Sequence, residues 1–180
     1  RTRNLCRRLC VNRDFSAVRL LPERGRSMFN FGKIKCYAPV SGKVVDLKEV
    51  QDPLFSSRSI GDGVAVIPED NVVCSPARGR IKLLFHTGHA FVVEADNGME
   101  VMVHIGIDTV KGEGKGFYKL AAQGDRVEVG TPVVKVAFEE LKDMDLTTIM
   151  IVMTQEKSWN VYPTGRERCT AGKTCLLQVR

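Results

Sequence analysis

Hydrophobic and polar residues alternate along most of this chain in short runs, and glycine, proline or asparagine punctuates nearly every run. Period-two alternation places successive side chains on opposite faces, so the pattern predicts half-buried β-strands. Eleven segments carry it: 33–37, 42–47, 63–68, 71–74, 79–85, 89–96, 100–107, 126–129, 132–137, 148–153 and 175–179. Turn signals recur about every 8–12 residues, the spacing of an all-β antiparallel sandwich or barrel. Two short helical interruptions are predicted, a single turn over 52–58 and a segment over 138–146 where Phe138, Leu141 and Met144 fall near helical spacing. A weak internal echo links 38–44 (A-P-V-S-G-K-V) with 75–81 (S-P-A-R-G-R-I), each a proline turn followed by glycine and a strand. Such units recur in folds built from two similar β-halves and also in many unrelated all-β domains, so the echo bears on architecture only.

Segment 85–110 holds all three histidines, His86, His89 and His104. Two β-branched runs flank Asn97-Gly98, the strongest short signal for a two-residue hairpin turn. With that loop Asp96 pairs with Met99, His104 lies opposite Phe91, and His89 lies opposite Gly106. Phe85, Thr87, His89, Phe91 and Val93 then share a face with Met102, His104, Gly106 and Asp108. His89 and His104 become diagonal neighbours, with backbones roughly 7–8 Å apart, while His86 turns to the other face. Neutral imidazole is well populated near pH 7, which suits it to nucleophilic, acid–base or metal-binding work. Gly106 predicts open space beside His104, and Thr87 a hydrogen bond that fixes one histidine tautomer. The apolar collar of Phe85, Phe91, Val93 and Met102 is what a docking partner would cover. The set points to His104 as a nucleophile assisted by His89. The competing structural reading, a satisfied strand histidine, is kept for His86.

Composition narrows the alternatives. The chain has 180 residues, 43% of them hydrophobic, enough for one domain with a sizeable core. No run of eighteen apolar residues exists to span a membrane. The net charge of +6 is local, because residues 1–27 carry eight arginines against Asp14 and Glu23, and the rest has equal numbers of basic and acidic residues. A nucleic-acid surface needs excess charge on the folded body, so none is expected. Residues 1–27 are expected to be a disordered basic arm or linker, and 28–180 the domain. Six cysteines without a C-x-x-C pair suit free thiols in a reducing cytosol. His86-x-x-His89 diverges on a strand and no cysteine lies nearby, so a closed zinc site is not expected. No G-x-S-x-G, Walker loop or G-x-G-x-x-G occurs, and the tip 96–99 has no lysine for biotin or lipoate.

Val103-His104-Ile105-Gly106-Ile107-Asp108-Thr109-Val110, with Gly88-His89-Ala90-Phe91 and Asp52-Pro53-Leu54-Phe55, closely resembles the glucose-family enzyme IIA component of the bacterial phosphoenolpyruvate-dependent sugar phosphotransferase system. The resemblance covers about Ile34 to Val179, including Gly61-Asp62-Gly63 and Gly124-Asp125-Arg126-Val127. It implies an antiparallel β-sandwich phosphocarrier in the cytoplasm. Phospho-HPr would phosphorylate His104, and the group would pass to a cysteine of the IIB domain of a sugar permease, the only link to a membrane. His89 would contact the phosphoryl group, with Thr87 and Gly106 in its hydrogen-bond network. Phe55, Phe85, Phe91, Met102 and Val110 would lie on the docking surface, and Asp52, Glu94, Asp96, Glu100 and Asp108 at its acidic margin, which suits a basic HPr face. No metal or cofactor is implied. Departures from the family pattern are His86, Gly88 and the turn at Arg168-Cys169-Thr170. A different use of the same face, as a regulatory module holding target proteins while unphosphorylated, is the alternative.

Overall fold

In the computed structural model, residues 33–154 and 159–180 are described. The expected basic arm, 1–27, lies outside them. Fourteen strands follow one another: β1 (Ile34–Tyr37), β2 (Gly42–Val45), β3 (Gly61–Pro68), β4 (Val72–Cys74), β5 (Gly79–Leu84), β6 (Ala90–Ala95), β7 (Glu100–Ile105), β8 (Phe117–Lys119), β9 (Arg126–Val127), β10 (Pro132–Val136), β11 (Thr148–Met153), β12 (Val161–Pro163), β13 (Arg168–Cys169) and β14 (Cys175–Val179). All eleven predicted segments contain one. The three outside those segments, β8, β12 and β13, are two or three residues long.

One eight-stranded antiparallel sheet runs β13-β2-β3-β11-β7-β6-β5-β9, and two three-stranded sheets run β1-β14-β12 and β4-β10-β8. The core lies between them. Phe91, Val93, Val101, Val103, Ile105, Met150 and Val152 from the large sheet pack with Cys36, Val73, Val134, Val136 and Leu177 from the small ones. This is the antiparallel sandwich that the strand pattern predicts. The outer face of the large sheet carries a second apolar cluster, in which Leu47, Val50 and Phe55 cover Ala65, Ile149 and Ile151. That cover is the segment with the single-turn helix α1 (Pro53–Ser56), whose N-cap is Asp52 and whose first residue is proline, a favourable pairing at a helix start.

The predicted helix over 138–146 is reduced to one 3₁₀ turn at Phe138–Glu140. Leu141 leaves helical geometry at φ −123° and buries itself against Gly116, where a Cβ would lie 2.8 Å from its Cγ. Tertiary packing of one leucine overrides a marginal local preference.

The internal echo proves structural. β2 pairs with β3 as β5 pairs with β6, with Gly42 opposite Pro68 and Gly79 opposite Ala95. The two proline turns bond to each other reciprocally, Tyr37 N to Pro76 O at 2.8 Å and Cys74 N to Pro39 O at 2.7 Å. Gly172 N donates to Ala38 O as Gly130 N donates to Ser75 O, both at 2.9 Å. The ion pairs match as well, Arg168 with Glu69 and Arg126 with Asp96. A pseudo-two-fold axis therefore passes between β7 and β11. The small sheets correspond too: Lys35 pairs with Gln178 in β1–β14 as Val72 pairs with Lys135 in β4–β10. β1 and β14, near the two ends of the described chain, lie side by side with Ile34 opposite Val179.

Candidate functional site

His104 stands on β7 in the middle of the large sheet, between Ile149 of β11 and Ala90 of β6. Its ring lies on the outer face beside Phe55, with centroids 5.0 Å apart, so the capped turn that places Phe55 also walls one side of His104. The ring of His89 meets it edge-on, centroid to centroid at 5.1 Å with a 76° interplanar angle. Phe85 stacks obliquely on His89 at 5.2 Å. The predicted convergence of the two imidazoles is present.

The route to it differs from the predicted one. The β6–β7 loop has three residues, Asp96, Asn97 and Gly98, because Ala95 and Met99 close it with Ala95 N bonded to Met99 O at 2.8 Å. Gly98 takes φ +78°, the left-handed residue that a three-residue hairpin requires. One extra loop residue slips the ladder by one, so His104 opposes Ala90, and Phe91 opposes Val103. Phe91 and Val93 consequently point into the core, and Phe91 is fully buried there, so the expected place of Phe91 on the docking surface is corrected. Met102 keeps the His104 face, opposite Val92. His89 reaches the pair because the regular strand starts only at Ala90, after a turn in which Gly88 has φ +75°. Freed from strand alternation, its ring is not bound to the core face.

Gly106 also differs from expectation. Space beside it is filled, since a Cβ would lie 2.4 Å from Thr109 Cγ2 and 2.7 Å from Asp145 O, and its φ of +78° disfavours any side chain. Its contribution is its carbonyl, which accepts a hydrogen bond from His104 Nδ1 at 2.8 Å. A carbonyl can only accept, so His104 carries its proton on Nδ1 and leaves a lone pair on Nε2. Thr87 Oγ1 likewise bonds His89 Nδ1, as the sequence suggested. Both rings therefore present Nε2.

Burial pushes the pKa of His104 below its usual value; the bond to Gly106 O and the carboxylates of Asp52 and Asp108 pull the other way. Burial, then His104, then His86 push His89 down to about 4. His89 is thus neutral near pH 7. Only 5% of it is exposed, whereas His104 is partly open to solvent.

The remaining predicted residues are dispersed. Asp52 bonds Leu54 N at 2.8 Å as a cap, and Asp108, at φ +57°, pairs with Lys111 at 2.8 Å. Val110 is half-exposed close by in sequence, and so is Leu54, which was not singled out although it follows the Asp-Pro cap signal. Glu94 and Glu100 oppose each other four rungs along the hairpin from His104, a displacement of roughly 13 Å. Glu100 pairs with Lys82, and Asp96 in the loop pairs with Arg78 and Arg126. Of the expected acidic margin, Asp52 and Asp108 act on His104, and the other three gather toward the tip. Among the described residues, no group of three or more His, Cys, Asp or Glu side chains could hold a metal ion.

A β-sandwich with two imidazoles meeting on an open sheet face, one with a defined lone pair and one a neutral neighbour, belongs to the class of proteins built for group transfer through histidine. The family model of the phosphoenolpyruvate-dependent sugar phosphotransferase system, EIIA 1, matches residues 34–158. The chain is 39% identical over 149 residues to the glucose-specific EIIA component of Oceanobacillus iheyensis, covering 82% of this chain and 90% of that one. It is 46% identical over 147 residues to the N-acetylglucosamine-specific EIICBA component of Klebsiella pneumoniae, spanning 79% of this chain and 22% of that longer protein. Among solved structures, glucose permease IIA from Mycoplasma capricolum superposes with a TM-score of 0.74 at 29% identity, covering 81% of this chain and 96% of that one. The chain belongs to the EIIA type 1 family of the sugar phosphotransferase system, whose members are phosphocarriers. No helix among the described residues is long and apolar enough to cross a membrane.

Proposed function

We propose that His104 takes the phosphoryl group from phospho-HPr on Nε2 and hands it to a cysteine of a permease IIB domain, in the cytoplasm, during sugar uptake. The carrying observation is the double engagement of the Nδ1 atoms, by Gly106 O on His104 and by Thr87 Oγ1 on His89, which leaves both Nε2 atoms clear of those bonds on rings whose centroids are 5.1 Å apart. As the phosphorus–nitrogen bond of the donor breaks, the lone pair of His104 Nε2 forms the new one, while Nδ1–H stays on the Gly106 carbonyl and keeps the ring from rotating. Phosphoryl transfer runs through a loose transition state, so in-line placement and charge stabilisation carry most of the catalysis. With Thr87 O–H donating to Nδ1, neutral His89 turns an Nε2–H toward the phosphoryl oxygens. Relatives in which this domain is part of a longer EIICBA protein support a IIB partner.

Incubation with phosphoenolpyruvate, enzyme I and HPr should label the wild-type chain once, at His104. His104→Ala should abolish the label, and full labelling of that variant would overturn the assignment. His89→Gln keeps an N–H donor, so it should still accept phosphate, with transfer to IIB slowed about 10–100-fold because the retained donor is less well aligned.

A further inference from the structure

A cleft of about 830 Å³ opens along the β1–β14–β12 sheet, a different sheet from the one that bears His104. Lys35, Arg166, Arg168 and Lys173 line it together with Tyr162 and Cys175. The residues of β12 to β14 that form most of it lie past the 34–158 span of the family match.

The pseudo-two-fold axis separates scaffold from surplus here. Arg168 and its Glu69 partner repeat Arg126 and Asp96 of the other half, so that pair is part of the duplicated framework. The other three cations have no such explanation. Val72 stands where the other half should repeat Lys35. Val44 N bonds Glu167 O as Ile81 N bonds Asp125 O, which puts Gly124 at the counterpart of Arg166. Among the described residues, Lys35, Arg166 and Lys173 form no ion pair. Their convergence is electrostatically real: Lys35 and Arg166 both pull the Cys175 thiol down against the burial that raises it. Like charges gathered in a concavity destabilise a fold unless an anion offsets them. The chain from Met28 onward has balanced charge, so this gathering of cations does not follow from a general excess of basic residues.

We infer that this cleft binds a small organic phosphate carrying two or more negative charges. Arg166 offers a planar fork that matches phosphate oxygens, and Lys35 and Lys173 add point charges on either side. The half-exposed ring of Tyr162, with Arg180 stacked 5.9 Å from its centroid, gives the organic part an apolar wall. The volume lies in the range typical of small-molecule pockets, and a concavity favours a soluble ligand over a flat lipid surface.

The test is titration of the full chain with inorganic pyrophosphate at constant ionic strength, followed by nitrogen-15 amide spectra. Saturating shifts at Gly165, Thr174 and Gln178 with submillimolar affinity are expected. The exposed double substitution Lys35→Gln/Arg166→Gln should weaken binding at least about tenfold, in line with loss of two charge-assisted contacts, while amide dispersion elsewhere is unchanged. No saturation in the millimolar range would overturn the proposal. So would equal affinity for citrate, or shifts that arise only with phosphatidylglycerol vesicles. Labelling of His104 in the same sample is read separately, so failure of one reading leaves the other standing.

Discussion

His104 and His89 sit side by side yet meet different demands. Gly106 O fixes the proton of His104, while burial first, then His104 and His86, keep His89 neutral, and Thr87 holds its Nδ1. A buried neutral histidine has a consequence for stability. The folded-state pKa of His89, about 4, lies below the 6.5 of an unfolded chain, so between those values the unfolded state binds more protons. Stability should therefore be complete above pH 6.5 and fall as pH drops toward 4, by roughly 2–3 kcal/mol in all. Urea midpoints measured across that window check it, and His89→Gln should flatten the curve. An equally steep curve in the variant would assign the effect elsewhere. The sequence revealed this pair because histidine is rare here and these two fall on the two arms flanking one hairpin signal. It concealed the place of Phe91, since a single additional loop residue sends alternate side chains to opposite faces.

At the scale of elements, the site depends on a capped turn that lies outside the sheets. Asp52 caps α1, α1 holds Phe55, and Phe55 packs on the His104 ring. Asp52→Ala should cost about 1 kcal/mol of stability through the lost cap and slow phosphoryl acceptance several-fold, since His104 loses part of its wall. Asp52→Asn keeps the cap and removes the charge; it should restore most of the stability, and thermal melts of the two variants separate the roles. Equal destabilisation by both would refute the capping account. Asp-Pro before Leu54 and Phe55 made this turn legible, as alternation did for eleven strands. The segment after Phe138 was misjudged because Leu141 is drawn under Gly116, a contact that local spacing does not encode.

At the scale of the whole fold, the described residues form two β-halves joined about an axis, and Gly172 of one half packs closely against Gly130 of the other. A Cβ on Gly172 would lie 2.7 Å from Gly130 Cα, whereas one on Gly165 would meet nothing within 4 Å. Both have similar left-handed φ, +65° and +69°. Gly165→Ala should thus cost only the backbone strain, about 1–2 kcal/mol, and Gly172→Ala a further 1–3 kcal/mol or so from overpacking. Chemical denaturation of both decides it, with equal losses counting against the contact. The echo of two proline turns hinted at this symmetry, but β13, the counterpart of β9, is a two-residue strand that carries no readable pattern.

Because Ile34 and Val179 face each other on neighbouring strands, the polypeptide enters and leaves the sandwich at a single doorway. A fold with that topology can be threaded into a larger protein like a bead on a string. Neighbouring cassettes would then tug on the edge sheet alone and leave the histidine face undistorted.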